Sequence, residues 1–250
     1  MTNPRTVVIT GGNKGIGQDI ARAFHHHGDD VIVASRSDNG FADEFSERMR
    51  FIACDVRDPE DLQAVVNAAA KSGSIDVFVN NAGYSEWRSL ENIDEAFWDN
   101  MIATNLKGCL FGCQAAAGAM PSGGVIINVS SIASKRGTPN NTVYCASKFG
   151  MNGITQALAK ELGPKGIRVN GVCPVLVATD GLMEGLRRPE APPGGDSVED
   201  WLANFAATQS ALRRLPTGGE VADLCLYLAS PAASAITGQN INVDCGVLPQ

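Results

Sequence analysis

Thr6-Val7-Val8-Ile9-Thr10-Gly11-Gly12-Asn13-Lys14-Gly15-Ile16-Gly17 opens directly into Gln18 to Phe24, a run with helical apolar spacing. A short β-branched strand, a glycine-rich turn and a helix in this order make one structural unit. The glycines let the backbone turn tightly and come close to a pyrophosphate, while the helix start offers free N–H groups and a partial positive charge to its oxygens. A glycine turn carries little weight alone. Its weight here comes from its place at the first strand-to-helix junction of a larger repeating pattern.

That pattern continues outward. Further β-branched runs fall at Val31 to Ser35, Phe51 to Asp55, Ile75 to Asn80, Val125 to Ser130, Arg168 to Val172 and Ile241 to Val243. Nearly all are apolar on both faces, as parallel strands between two helix layers are, and the segments between them are long enough for helical crossovers. Asp58-Pro59 caps a helix through Leu62 to Ala70, a second spans about Asp94 to Ala119, and a third begins near Thr142 and stops at Leu162-Gly163-Pro164. The expectation is an α/β fold, a Rossmann-type doubly wound parallel sheet, in one domain over residues 1–250. Between Gly181 and Ser210 the prolines and glycines at Pro189, Pro192-Pro193 and Gly194-Gly195 interrupt regular structure, which predicts a mobile flap with a short helix around Trp201 to Ser210.

Composition narrows the classes. An apolar content of 44% and charged content of 19% suit a globular protein, and no apolar run approaches the ~20 residues of a membrane span. The net charge of −7, mixed along the chain, lacks the concentrated positive field that nucleic acid requires. No export signal is legible near Met1, and seven scattered cysteines without a C-x-x-C pair fit reduced thiols, so a cytoplasmic location is expected. His25-His26-His27 point in different directions on a helix and cannot converge on one metal; they suit a helix C-terminus instead.

The second strand ends Ala34-Ser35-Arg36, with no carboxylate for the ribose hydroxyls of NAD. Arg36 offers a planar fork to a 2′-phosphate and Lys14 lies in the loop that crosses the same region, so NADP(H) is the expected cofactor. At the other end of the chain, Tyr144 and Lys148 are four apart and share a helix face. An ammonium beside a phenol stabilises phenolate, which predicts a Tyr144 pKa drawn down from about 10 toward working pH. Asn80-Asn81-Ala82-Gly83 and Ser130-Ser131 close two strands at the edge where open α/β sheets bind ligands, and Asn105 is a poor helix former in mid-helix.

Together these residues resemble the short-chain dehydrogenase/reductase family, in its branch of about this length that includes 3-oxoacyl carrier-protein reductases and cyclic alcohol dehydrogenases. The glycine loop, Asp55-Val56, Asn81-Ala82-Gly83, Asn105, Ser131, Tyr144 with Lys148, Asn170 with Pro174, and Thr237-Gly238 carry the resemblance along the whole chain. It implies a seven-stranded parallel sheet, hydride transfer between nicotinamide and a ketone or secondary alcohol, and a homotetramer or homodimer built partly through the two long helices. By position, Ser131 would hold the substrate carbonyl, with Ser130 structural. Tyr144 would give the proton, Lys148 would hold the nicotinamide ribose and depress the phenol pKa, and Asn105 would anchor a water. Gly11, Asn13, Lys14, Gly15, Ile16, Gly17 and Arg36 would meet the phosphates. Asp55 and Val56 would flank the adenine, with Asn81, Ala82 and Gly83 at the adjoining ribose. Pro174, Val177 and Thr179 would contact the nicotinamide end.

The resemblance has two departures. Val175 follows Pro174 where the family has glycine, which puts a branched side chain in a turn beside the nicotinamide, and Cys245 stands where glycine is usual near the end. Three functions stay open at this point: a ketone reductase using NADPH, a dehydrogenase of a cyclic alcohol or diol working in the opposite direction, and a non-catalytic NADPH sensor.

Overall fold

Residues 4–45, 48–71 and 73–249 are described by a computed structural model. Seven strands form one sheet: β1 (Thr6–Thr10), β2 (Asp30–Ser35), β3 (Met49–Ala53), β4 (Val77–Asn80), β5 (Val125–Val129), β6 (Arg168–Pro174) and β7 (Asn240–Val243). All neighbouring pairs are parallel, in the order β3-β2-β1-β4-β5-β6-β7. The order reverses between β1 and β4. The crevice outside the carboxyl ends of those two strands is where sheets of this kind bind ligands.

Alternate residues of each strand feed two cores. On one face Val7, Ile9, Val31 and Val33 pack on Ile20 and Phe24 of α1 (Gly15–His27) and on Val221, Cys225 and Leu228 of α8 (Gly218–Leu228). On the other, Val8, Ile32, Phe78 and Ile126 meet α2 (Pro59–Ala70), α4 (Gly108–Ala119) and α5 (Thr142–Leu162). Both faces are apolar because both are covered, as the strand composition predicts.

Local chemistry sets the helix starts. Asp58 accepts from Glu60 N at 2.9 Å, with Pro59 in the first turn of α2, and Asp94 accepts from Phe97 N at 2.7 Å at the start of α3 (Glu95–Ile102). The helix expected over Asp94 to Ala119 is interrupted: α3 passes through one wide turn, Ala103–Lys107, before α4 begins, and Asn105 sits in that turn. The third strand is Met49–Ala53 rather than Phe51 to Asp55, because the Asp61 carboxylate takes the Asp55 N–H at 2.8 Å and draws the chain off the sheet.

The flap region holds α6 (Asp180–Leu186) and α7 (Val198–Gln209), the second of which covers the helix expected near Trp201. Trp87, from the loop after β4, seats this region: Leu186, Ala191, Val198 and Leu202 cluster on it, and a Cβ on Gly185 would stand 3.3 Å from its ring. The histidine run ends α1, where His25 packs edge-on against Phe45 and His27 Nδ1 lies 3.1 Å from Asp29. Arg214 forms a surface pair with Glu220, and Trp98 is largely exposed on α3. No helix among the described residues is long and apolar enough to cross a membrane.

Candidate functional site

Thr10, the last residue of β1, organises the glycine loop. Its buried hydroxyl accepts from Asn81 N at 3.0 Å and from Ala82 N at 3.1 Å, and Asn81 Nδ2 donates back to the Thr10 and Gly11 carbonyls at 3.0 and 3.1 Å. The amide of Asn81 therefore clamps the loop. Asn13 does similar work on the other side, donating to Ser37 O at 3.0 Å while its own carbonyl accepts from Asn39 at 2.9 Å.

Glycine is required for two reasons here. Gly11 and Gly15 have φ of +63° and +54°, in the left-handed region. Gly17 has no such φ, but a Cβ on it would stand 2.3 Å from both Gly11 O and Asn81 Nδ2. Below this loop α1 begins at Lys14 with no side chain bonded to its first-turn N–H groups and no acid in that turn. Ile16 and Gly17 are thus left with open donors at a positive helix end. A left-handed loop under an uncapped helix fits a pyrophosphate.

Arg36 is exposed just beyond β2 and makes no hydrogen bond or ion pair among the described residues. It lines a cleft of about 520 Å³ with Arg57, Tyr84, Arg88, Asn100 and Thr104. Asp55, on that side, holds Arg57 in a 2.5 Å pair, and the Arg57 hydrogen bond keeps its carboxyl below the ordinary value, with Arg36 adding to the effect. Lys14 is exposed, and Val56 packs on Gly108 at the start of α4. Arg57, directly after Asp55-Val56, lines this cleft without having been singled out on the sequence.

At the reactive end, the Ser131 side chain acts on Tyr144 to draw its pKa down. Ser131 Oγ accepts from Ala133 N at 3.1 Å and lies 3.5 Å from Pro174 O, so one hydroxyl joins the ends of β5 and β6. Ser130 turns away to Asn152 at 2.8 Å, the structural part expected of it. Lys148, on the turn after Tyr144, is buried and donates to Val129 O at 2.8 Å, with Nζ 5.7 Å from the Tyr144 ring centre.

The expected fall in the Tyr144 pKa is not found in the chain itself. Burial pushes the phenol up to about 12 against the opposing Ser131 hydrogen bond. Burial likewise pushes Lys148 down to about 8, so the amine is a desolvated cation close to its titration range.

Asn105 is fully buried in its wide turn. Its Oδ1 accepts from Tyr84 N at 3.0 Å, and its Nδ2 donates to Tyr84 O at 2.9 Å and to Ser147 Oγ at 3.2 Å. It ties the loop after β4 to α5, and Gly83 leaves it room, since a Cβ there would stand 3.1 Å from Oδ1. Val177 is buried, and Thr179 caps α6 and lies over the glycine loop, its methyl 3.4 Å from where a Gly15 Cβ would be. Val175 brings no strain: it has no positive φ and continues the sheet by donating to Val243 O at 3.2 Å. Cys245 does, with φ of +53° where glycine would be free.

A doubly wound sheet with a glycine cradle at its switch point and a Ser-Tyr-Lys cluster at the same edge defines a nucleotide-binding α/β protein. A family model described as enoyl-(acyl carrier protein) reductase matches residues 11–248. The chain is 34% identical to 3-oxoacyl-[acyl-carrier-protein] reductase FabG of Chlamydia muridarum, over 97% of each chain. Among solved structures, actinorhodin polyketide ketoreductase with NADPH, in a tryptophan variant, is similar with a TM-score of 0.90 at 31% identity, over 99% of both chains. A short-chain dehydrogenase/reductase titled glucose/ribitol dehydrogenase, from Brucella melitensis, gives a TM-score of 0.89 at 32% identity, over 98% of this chain and 97% of that one. The chain belongs to the short-chain dehydrogenase/reductase family, oxidoreductases that use a nicotinamide cofactor.

Proposed function

We propose that the protein is an NADPH-dependent carbonyl reductase in which Tyr144 donates the proton to the oxygen of a ketone as it becomes an alcohol. The observation that carries this reading is the grouping of Ser131, Tyr144 and Lys148 at the carboxyl edge, with the Lys148 Nζ 5.7 Å from the Tyr144 ring centre and donating to Val129 O at 2.8 Å. Burial favours the protonated phenol, which leaves it a proton to give when a ketone is reduced.

NADP(H), when bound, supplies the hydride. Gly11, Asn13, Lys14, Gly15, Ile16 and Gly17 would receive its pyrophosphate. Arg36 and Lys14 would receive the 2′-phosphate, and Arg36 is suited to it because its exposed guanidinium makes no hydrogen bond or ion pair among the described residues. Asp55, Val56, Asn81, Ala82 and Gly83 would line the adenosine half, and Pro174, Val177 and Thr179 the nicotinamide end. Ser131 orients the substrate carbonyl through its hydroxyl, Tyr144 passes the proton, and Lys148 holds the ribose and answers the phenolate charge as it forms. The Asn105 side chain is committed to Tyr84 and Ser147, so its part in a water-borne relay would fall to its main-chain carbonyl.

The reading extends to the setting. Six of the seven cysteines are buried thiols, which suits a reducing compartment such as the cytoplasm. Leu110 on α4 and Phe149 on α5 are 42% and 48% exposed, which suits a homo-oligomer, tetramer or dimer, joined through those helices.

The test is a panel of ketones with purified protein: NADPH absorbance should fall with at least one of them, and Arg36→Asp should shift the preference from NADPH toward NADH by about 100-fold. Unchanged selectivity in that variant would remove the NADP assignment. A second reading, oxidation of a polyol or cyclic alcohol, is favoured by the likeness to the glucose/ribitol dehydrogenase. Faster turnover of alcohols with NAD than of ketones with NADPH would establish it.

A further inference from the structure

Glu190 lies in the turn between α6 and α7, far in sequence from everything it touches. One of its carboxylate oxygens accepts from Ser89 N and the other from Asn92 Nδ2 at 2.8 Å, both in the loop after β4. Its carbonyl accepts from Asn140 Nδ2 at 3.1 Å. Asn140 in turn accepts from Arg88 N at 2.6 Å, holds a left-handed φ of +57° and immediately precedes Asn141, the N-cap of α5 on which Tyr144 stands. Two residues earlier in the flap, Arg188 reaches Glu86 at 2.6 Å, and Arg88 shares that carboxylate at 3.1 Å. Three segments therefore meet at one glutamate: the flap, the loop whose Tyr84 main chain Asn105 clamps, and the turn that launches the Tyr144 helix.

The apolar seat beneath the flap does not fix it alone. Trp87 is 7% exposed and its buried Nε1 finds no hydrogen-bond partner among the described residues, so the indole leaves one donor unmet. Past the contact, Gly194 and Gly195 have φ of +63° and +99°, left-handed backbone that glycine adopts without a side-chain penalty. The polar tie at residues 188–190 thus precedes a turn closed only by main-chain hydrogen bonds such as Gly194 N to Ala191 O at 2.9 Å.

We propose that Glu190 is a positioning residue whose carboxylate latches the flap to the loop after β4, beside the tie its main-chain carbonyl makes to the turn before the Tyr144 helix, so that substrate capture depends on one carboxylate. This rests on the carbonyl-reductase reading for its kinetic consequence, but not for its structural one. The carboxylate also faces Arg88, and the Ser89 main-chain hydrogen bond, first among its contacts, holds its pKa below the ordinary value.

The experiment uses the NADPH-loaded protein with Glu190→Ala, Glu190→Gln and Ser89→Pro. Ser89 has φ of −63°, so proline fits there and removes the N–H that meets Glu190. Three quantities are read: KM and kcat with a ketone substrate, trypsin cleavage after Arg187 followed by mass, and NADPH affinity. Loss of a charge-assisted hydrogen bond predicts KM raised roughly tenfold in Glu190→Ala and in Ser89→Pro, with kcat changed less than about threefold and partial rescue in Glu190→Gln. Cleavage after Arg187 should quicken by about tenfold, and NADPH affinity should hold. The double variant Glu190→Ala with Ser89→Pro should be no worse than Glu190→Ala alone, because that variant already lacks the acceptor that Ser89 N meets. Unchanged cleavage in both single variants overturns the latch whether or not any ketone is turned over. Loss of NADPH affinity in step with KM would also overturn it, as the mark of a general loosening. Faster cleavage with no turnover in the parent would leave the latch standing and reject the carbonyl-reductase reading.

Discussion

α1 and α8 pack against each other on the same face of the sheet, yet they begin in opposite ways. α8 closes its own start: Thr217 Oγ1 accepts from Glu220 N at 3.2 Å, and the Glu220 carboxylate accepts from Thr217 N at 2.9 Å. α1 leaves its first turn open, with no side-chain cap and no acid, under a loop of left-handed glycines. The difference separates a helix that exists to be packed from one that exists to be approached. In a stable domain an uncapped N-terminus costs about 1 kcal/mol, and it is tolerated where an anion completes it.

The contrast can be broken most sharply with one chemical change made in both helices. Gly17→Ala places a methyl 2.3 Å from Gly11 O, so the loop must shift, and NADPH affinity measured by fluorescence titration should fall by about 100-fold. Gly219→Ala, whose Cβ would meet nothing closer than Thr217 Oγ1 at 3.7 Å, should leave affinity unchanged and alter stability by no more than about 0.5 kcal/mol. Equal losses in the two variants would erase the distinction.

Lys148 extends the comparison from open donors to a buried cation. Its pKa falls from 10.5 to about 8 because burial disfavours the charged form. The folded chain therefore binds fewer protons than the unfolded chain between those values, and stability rises with pH across that window. Below it the charge is a standing penalty. Lys148→Met should be more stable than the parent by about 2 kcal/mol at pH 7, with the gain shrinking as pH climbs through the window, as urea unfolding at several pH values would show. A gain that does not vary with pH would reject the buried-cation account.

Two smaller effects complete the series. Thr217→Ala removes the cap that α1 lacks and should cost about 1 kcal/mol in urea unfolding, with NADPH affinity intact. Cys245→Gly relieves the left-handed φ at that residue and should be neutral or stabilising by about 0.5 kcal/mol.

The legible parts of the molecule were those whose causes are local. The strand after Arg5, the glycine loop, the Asp58-Pro59 start of α2 and the Thr142 to Leu162 helix all follow from residues within a few positions of one another. α8 carried a local signal too, the Thr217 and Glu220 capping pair, but Gly218-Gly219 between them reads as a turn. Other features have causes far away in sequence. The wide turn at Asn105 goes with a side chain held by the Tyr84 main chain, and the Asn81 clamp depends on Thr10, 71 residues earlier. The Tyr144 pKa moves opposite to the expectation because residue spacing records a nearby amine but not the burial that raises the phenol. Val175 departs from the family's glycine without backbone strain, since its φ never enters the left-handed region.

Everything proposed about the reaction depends on the Tyr144 hydroxyl being the proton donor. The most direct test is Tyr144→Phe, with kcat on a reactive ketone at saturating NADPH and the NADPH dissociation constant measured on the same preparation. Loss of a general acid predicts kcat lower by about 1,000-fold, with the dissociation constant within about twofold of the parent. Turnover retained within about tenfold, with NADPH still bound, would contradict the account.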